Sequence, residues 1–141
     1  MSYFLNEEQK MIKDLALKIA QEKMPLELVQ ELDEKGIFPW EVLKVLASSD
    51  LFGVYIEEKY GGFGKGCFEL CLVVEELSKV CGGIAVSYAA SALGTFPIIL
   101  FGTEEQKQKY LPQIASGKKL AAFGLTESEA GSDAGAIQTT A

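Results

Sequence analysis

The chain has 141 residues, enough for one domain with a real core, and 48% of it is hydrophobic, which excludes a disordered segment. Its 13 positive charges are all Lys and stand against 20 carboxylates, a net charge of −7, so nucleic acid is excluded as a partner. No His is present, which removes the commonest general base and the commonest metal ligand.

The N-terminus, Met1 to Glu8, has neither a basic nor an apolar leader region, so no signal or transit peptide is expected. Asn6-Glu7-Glu8-Gln9 is a capping box, with Asn6 as the N-cap and Gln9 three residues on. Ile12, Leu15, Ala16, Ile19 and Ala20 then recur at helical spacing, which predicts a first helix over about residues 7–23. Pro25 opens a second helix with Leu26, Val29 and Leu32 inward, and Gly36 ends it. Pro39 opens a third, carrying Trp40, Val42, Leu43 and Leu46. The Glu and Lys residues here read as solvated faces.

Leu51 to Ile56 reads as a short extended segment, and Tyr60-Gly61-Gly62-Phe63-Gly64-Lys65-Gly66 follows as a loop. An extended run, a glycine-rich loop with Lys and then a helix suggest a phosphate loop. The spacing fails that motif, which needs four residues between the glycines and a hydroxyl after the Lys. A fourth helix over about 66–81 carries Cys67, Leu70, Cys71, Val74, Leu77 and Cys81 on one stripe, with Glu75, Glu76 and Lys79 facing water. Two thiols four apart with no His do not make a zinc site. Three cysteines in apolar surroundings read as buried, reduced thiols of a cytoplasmic protein.

Residues 80 to 103 carry charge nowhere between Lys79 and Glu104. The run is long enough to span a membrane, but it is rich in Ala, Ser and Gly and lacks basic flanks. A central helix of a soluble bundle over 84–101 is the expected reading. Ser87, Ser91 and Thr95 stack on one stripe and are expected to bond back to carbonyls one turn earlier, and Pro97 is expected to kink or break the helix near Leu93-Gly94. Thr103 and Gln106 form a second capping box, opening a sixth helix with Leu111 and Ile114 inward, a bend at Pro112 and an end at Ser116-Gly117. Leu120 to Leu125 is an extended run of small residues.

The last stretch, Gly124-Leu125-Thr126-Glu127-Ser128-Glu129-Ala130-Gly131-Ser132-Asp133-Ala134-Gly135-Ala136, concentrates small residues, hydroxyls and free N–H groups. Gly131 and Gly135 let backbone approach a ligand, and successive N–H groups in a turn form an anion-binding concavity. Gly-Ser-Asp alone is no more than a turn or a cap. The longer string resembles the flavin-site signature of the acyl-CoA dehydrogenases, with Ser128 where many relatives have Pro. The Tyr60-Gly61-Gly62 loop and the run from Phe101 to Pro112 are similar to segments of the same family, in the same order.

The resemblance implies an all-α, antiparallel bundle of about six helices over residues 1–117, and the first strand of a β domain over 118–141. It implies FAD as cofactor. Phe123, where a Tyr is frequent, would lie with Leu125 and Thr126 at the isoalloxazine, and Gly131 and Ser132 at the pyrophosphate. Ser132 would also touch the CoA part of the substrate, and Val86, Ala89, Ala90 and Leu93 would line the acyl chain. The implied partners are an acyl-CoA, an electron-transfer flavoprotein and three further copies in a homotetramer. The family's catalytic Glu lies in a C-terminal part that this chain does not include, so no catalytic residue is expected here. Glu127, Glu129 and Asp133 would repel phosphates and are expected to point away or cap N–H groups. The chain ends inside the strand region, which favours a fragment over the alternative, a stand-alone helical binding module.

Overall fold

The computed structural model describes residues 4–140, so the leader expectation at Met1–Tyr3 and the last residue of the 118–141 segment lie outside it. Six α-helices form where caps and periodicity place them: α1 (Glu7–Lys23), α2 (Leu26–Lys35), α3 (Trp40–Ser48), α4 (Cys67–Ser78), α5 (Gly82–Phe101) and α6 (Glu104–Ala115). The Asn6 side chain accepts from Gln9 N at 2.8 Å while Asn6 N donates to Gln9 Oε1 at 3.0 Å. Gln9 Nε2 also donates to Glu69 Oε1 at 2.9 Å, so the same residue ties the start of α1 to the start of α4. Gly36 takes the left-handed conformation, φ 60°, and stops α2 as its lack of a Cβ allows. Helix α4 packs against α1 on one side and α5 on the other, and α6 lies along α5.

The core gathers Ala16, Ile19, Leu46, Phe52, Ile56, Tyr60, Val73, Leu77, Tyr88 and Leu111 among others. Each Leu, Ile, Val or Phe among them removed from water contributes about 1.5–3 kcal/mol. Tyr88 is the hinge of this packing. Its ring lies 5.1 Å from that of Phe52, and its hydroxyl donates to the Leu51 carbonyl at 2.7 Å.

Residues 51–56 are not extended. Asp50 adopts φ 58°, and Leu51–Gly53 coil into a 3₁₀ turn whose side chains are buried on every side. The apolar run signals burial, and burial does not require a strand. The glycine-rich loop folds back onto this turn. Phe63, Gly64 and Lys65 donate their N–H groups to the carbonyls of Gly53, Ile56 and Val54 at 2.9, 2.8 and 3.0 Å. A Cβ on Gly62 would land on the Ile56 carbonyl and 2.6 Å from the Gly53 oxygen. This glycine is needed for backbone-on-backbone packing, and the loop's N–H groups are spent on its own chain.

Helix α4 is rotated from its expected stripe. Leu70, Leu72, Val73, Glu76 and Leu77 face inward, while Cys67 and Cys71 are exposed and Cys81 is half-buried, all three as free thiols. Glu76, expected in water, is fully buried. Lys79 at 2.7 Å and Lys13 at 3.3 Å pair it. Burial pushes its carboxyl up, but the hydrogen bonds and charges of the two Lys outweigh that and leave it below the ordinary range.

Helix α5 runs unbroken through Pro97. It meets the length and apolarity of a membrane span, yet Ile84, Ala85, Tyr88, Ser91, Ala92, Gly94 and Thr95 are packed into the core. It is not the central helix expected, because its other face is open. Beyond α6, residues 118–140 contain no strand among the described residues, only a 3₁₀ turn at Ala134–Ala136. A strand exists only by pairing, and no ladder partner lies within the described residues.

Candidate functional site

Gly117 ends α6 at φ 65°, where a Cβ would run into the Cβ of Ala47 on α3, and so turns the chain back across the bundle. The returning segment is then fixed to α5 at two points. Ser91 Oγ, buried in the helix, accepts from Ala121 N at 3.1 Å. One turn on, a Cβ at Gly94 would sit 2.7 Å from the backbone N, C and O of Ala122. Small residues at 91 and 94 therefore let a second backbone lie directly on the helix. Ser87 and Thr95 do bond back to carbonyls, Gly83 O at 3.0 Å and Ser91 O at 2.6 Å, as expected. Ser91 differs because its oxygen receives the incoming segment.

Helix α5 also has an open face. On that face Val86 is 65% and Leu93 55% exposed, Ala90 is exposed and Ala89 half-buried. Leu100 and Phe101 extend the apolar strip toward the helix end at 64% and 85% exposure. After Ala122 the chain leaves the core: Phe123 and Leu125 are 46% and 42% exposed, and Thr126 is exposed beside them.

The signature itself is a closed loop. Glu127 N donates to Ala130 O at 2.9 Å and Ala130 N to Glu127 O at 3.3 Å, with Ala130 buried. Asp133 accepts from Gly135 N at 3.1 Å, as an Asx turn. The Glu127 carboxylate accepts from Gln138 N at 2.9 Å and Thr139 N at 3.1 Å. The Gln138 N–H, and after it Thr139, hold the carboxyl below the ordinary range. Two of the three acidic residues, Glu127 and Asp133, therefore cap N–H groups, as expected. Gly131 and Ser132 are exposed, no hydrogen bond among the described residues engages their N–H groups, and the space beside Gly131 is open.

The structure thus fixes Ala121 and Ala122, just ahead of Phe123, Leu125 and Thr126, to the helix that carries the apolar strip. No hydrogen bond among the described residues joins Gly131 or Ser132 to α5. Reading the sequence misses Ser91 and Gly94 as anchors. Their signal is two small residues three apart on a buried helix, a spacing that admits a close neighbour. The donor set suits a flavin nucleotide: exposed apolar side chains and a hydroxyl for a ring, then free N–H groups and a serine hydroxyl for phosphate.

A sequence profile of the acyl-CoA dehydrogenase N-terminal domain matches residues 6–118. The chain belongs to the acyl-CoA dehydrogenase family. Butyryl-CoA dehydrogenase from Megasphaera elsdenii superimposes with a TM-score of 0.89 at 41% identity, over 99% of this chain and 37% of that one. An acyl-CoA dehydrogenase of Bacillus anthracis, solved in complex with FAD, gives a TM-score of 0.83 at 35% identity, over 95% of this chain and 23% of that one. A subunit of the caffeyl-CoA reductase–Etf complex of Acetobacterium woodii is 41% identical, over 98% of this chain and 37% of the relative. The chain thus spans between about a quarter and little more than a third of the length of these relatives. The family is one of FAD-dependent oxidoreductases.

Proposed function

We propose that this chain is the N-terminal helical part of an FAD-dependent acyl-CoA dehydrogenase, which oxidises the α,β carbon–carbon bond of an acyl-CoA thioester to the enoyl-CoA. The observation that carries the reading is the seating on α5 of Ala121 and Ala122, directly before the signature segment. One helix offers an apolar strip on its open face and, at Ser91 and Gly94, holds the backbone that leads into the residues proposed for a flavin. Bound there, FAD would supply the two-electron acceptor for this oxidation. Phe123 and Leu125 pack the isoalloxazine and Thr126 donates a hydrogen bond to it. Gly131 and Ser132 hold the pyrophosphate, and Ser132 also touches the CoA part of the substrate. No catalytic residue is assigned within the chain. The carboxylates near the site are committed elsewhere, Glu127 to two N–H groups and Asp133 to one.

Val86, Ala89, Ala90 and Leu93 form one wall for the acyl tail. No Lys or Arg occurs between Lys79 and Lys107, so this wall offers no counter-ion to a distal carboxylate. Burying such a group unpaired costs several kcal/mol, which favours an uncharged acyl chain. The Etf-complex relative supports an electron-transfer flavoprotein as acceptor, and the three free thiols support a cytoplasmic setting. A homotetramer is the assembly we propose for the full-length protein, with residues 1–117 as the helical domain and 118–141 as the start of the β domain.

The test is a side-by-side assay of the full-length protein with butyryl-, octanoyl- and glutaryl-CoA. The neutral substrates are expected to give the higher kcat/KM. A preference for glutaryl-CoA over both would overturn the substrate class, and a full-length protein that takes up no FAD would overturn the reading as a whole.

A further inference from the structure

Glu127 sits in the sequence between Thr126 and the Gly131–Ser132 pair, and a free carboxylate there would repel a phosphate ligand. The structure shows what occupies it. Each carboxylate oxygen takes one N–H from the far end of the loop, Oε2 from Gln138 at 2.9 Å and Oε1 from Thr139 at 3.1 Å. The backbone of the same residue is paired in both directions with buried Ala130. One residue therefore fixes the near end of the loop through its main chain and the far end through its side chain. Between those ends the N–H groups of Gly131 and Ser132 stay unengaged among the described residues, and the further closures are local to Asp133, its Asx turn with Gly135 and the bond from Ala136 N to its carbonyl at 3.1 Å.

We propose that Glu127 is a positioning residue, a clamp that holds residues 128–137 in the shape that presents the Gly131 and Ser132 donors to the FAD pyrophosphate. The proposal rests on the flavin reading above. A carboxylate suits the task better than an amide. Both of its oxygens accept, whereas Gln would set its NH₂ against one of the two N–H groups. The bonds to an ionised acceptor are also the stronger kind.

The first measurement uses the chain as it stands. In Glu127→Gln, amide hydrogen exchange at Gln138 and Thr139 should quicken by about tenfold or more, the loss of one charge-assisted bond, with α1–α6 unchanged. The second uses the full-length protein. The FAD dissociation constant of Glu127→Gln should rise by about tenfold while the melting temperature of the FAD-free protein holds. Glu129→Gln, an exposed neighbour, should alter neither reading. Unchanged exchange at 138 and 139 overturns the clamp. Faster exchange with unchanged FAD affinity overturns the positioning role. Failure of the unmutated full-length protein to bind FAD overturns the flavin reading and this proposal with it.

Discussion

Two glycine-rich stretches, residues 53–66 and 124–136, use glycine for opposite ends. In the first, the N–H groups of Phe63, Gly64 and Lys65 are bonded to the preceding turn, and Gly62 lies against the Ile56 carbonyl. In the second, Gly131 faces open space and its N–H and that of Ser132 remain free among the described residues. The first loop is a piece of core made from backbone. The second leaves backbone donors at the surface, where we propose that a phosphate binds. A glycine count cannot tell them apart, but an account of where each N–H goes can.

The sharpest way to break this contrast is a matched pair of substitutions. Gly62→Ala should cost about 3 kcal/mol or more, because the added carbon meets backbone that cannot rotate away. Gly131→Ala should shift stability by less than about 1 kcal/mol while weakening FAD binding in the full-length protein. Thermal melts of the two variants side by side read this directly, and equal losses would erase the distinction.

Ser91→Ala tests how the second stretch is carried. It leaves the Ala121 N–H without its acceptor in a part-buried position, at a cost of about 1–3 kcal/mol. It should also displace the flavin absorption bands of the full-length protein, since the segment bearing Phe123 to Thr126 loses an anchor. Stability loss with an unmoved spectrum would separate the anchor from the flavin.

Acid should act on the two stretches unequally, and with the smallest effect of the three. The carboxyls of Glu104, bonded to the Tyr60 hydroxyl, and of Glu127, bonded to Gln138 and Thr139, both lie below the ordinary value of 4.5. A depressed carboxyl stabilises the fold above its unfolded value, and that contribution fades as the pH falls through the lower, folded one. Below about pH 4.5 protection should therefore fall at Gln138 and Thr139. The amides of Phe63, Gly64 and Lys65 should keep theirs, because their acceptors are carbonyls that do not titrate. Hydrogen exchange across pH 5.5 to 3.5, about one unit either side of the ordinary value, would show it.

What the sequence makes legible is whatever is decided within one or two turns of chain. Asn6 with Gln9, Thr103 with Gln106 and Gly36 each settle a helix end by contacts within one turn, and the six helices lie close to their expected ranges. Decisions made across the chain are hidden. Glu76 reads as a surface residue until Lys13 on α1 is brought beside it. Cys67 and Cys71 share an apolar-looking stripe with Leu70 and Leu77, yet α4 keeps only the two Leu inward and buries Val73 and Glu76 in place of the thiols. Leu51–Ile56 has the composition of a strand but finds its partners in a loop that doubles back. At the site, the signature names the donors, while Ser91, Gly94 and the double bond of Glu127 emerge only from the fold.

The seating of Ala121 and Ala122 on α5 also limits how the substrate range of such an enzyme could be redesigned. Positions 86, 90 and 93 are free to be resized, since their side chains leave the helix on its open face. Positions 91 and 94 are closed to the same exercise, although they are equally small and lie within the same two turns. A larger residue there would lift the returning backbone off the helix. A library randomised across 86–94 would therefore mix two kinds of change, one resizing the wall we propose for the acyl chain and the other lifting off the backbone that leads into the segment we propose for the flavin. Restricting diversity to the open face keeps the first question separate from the second.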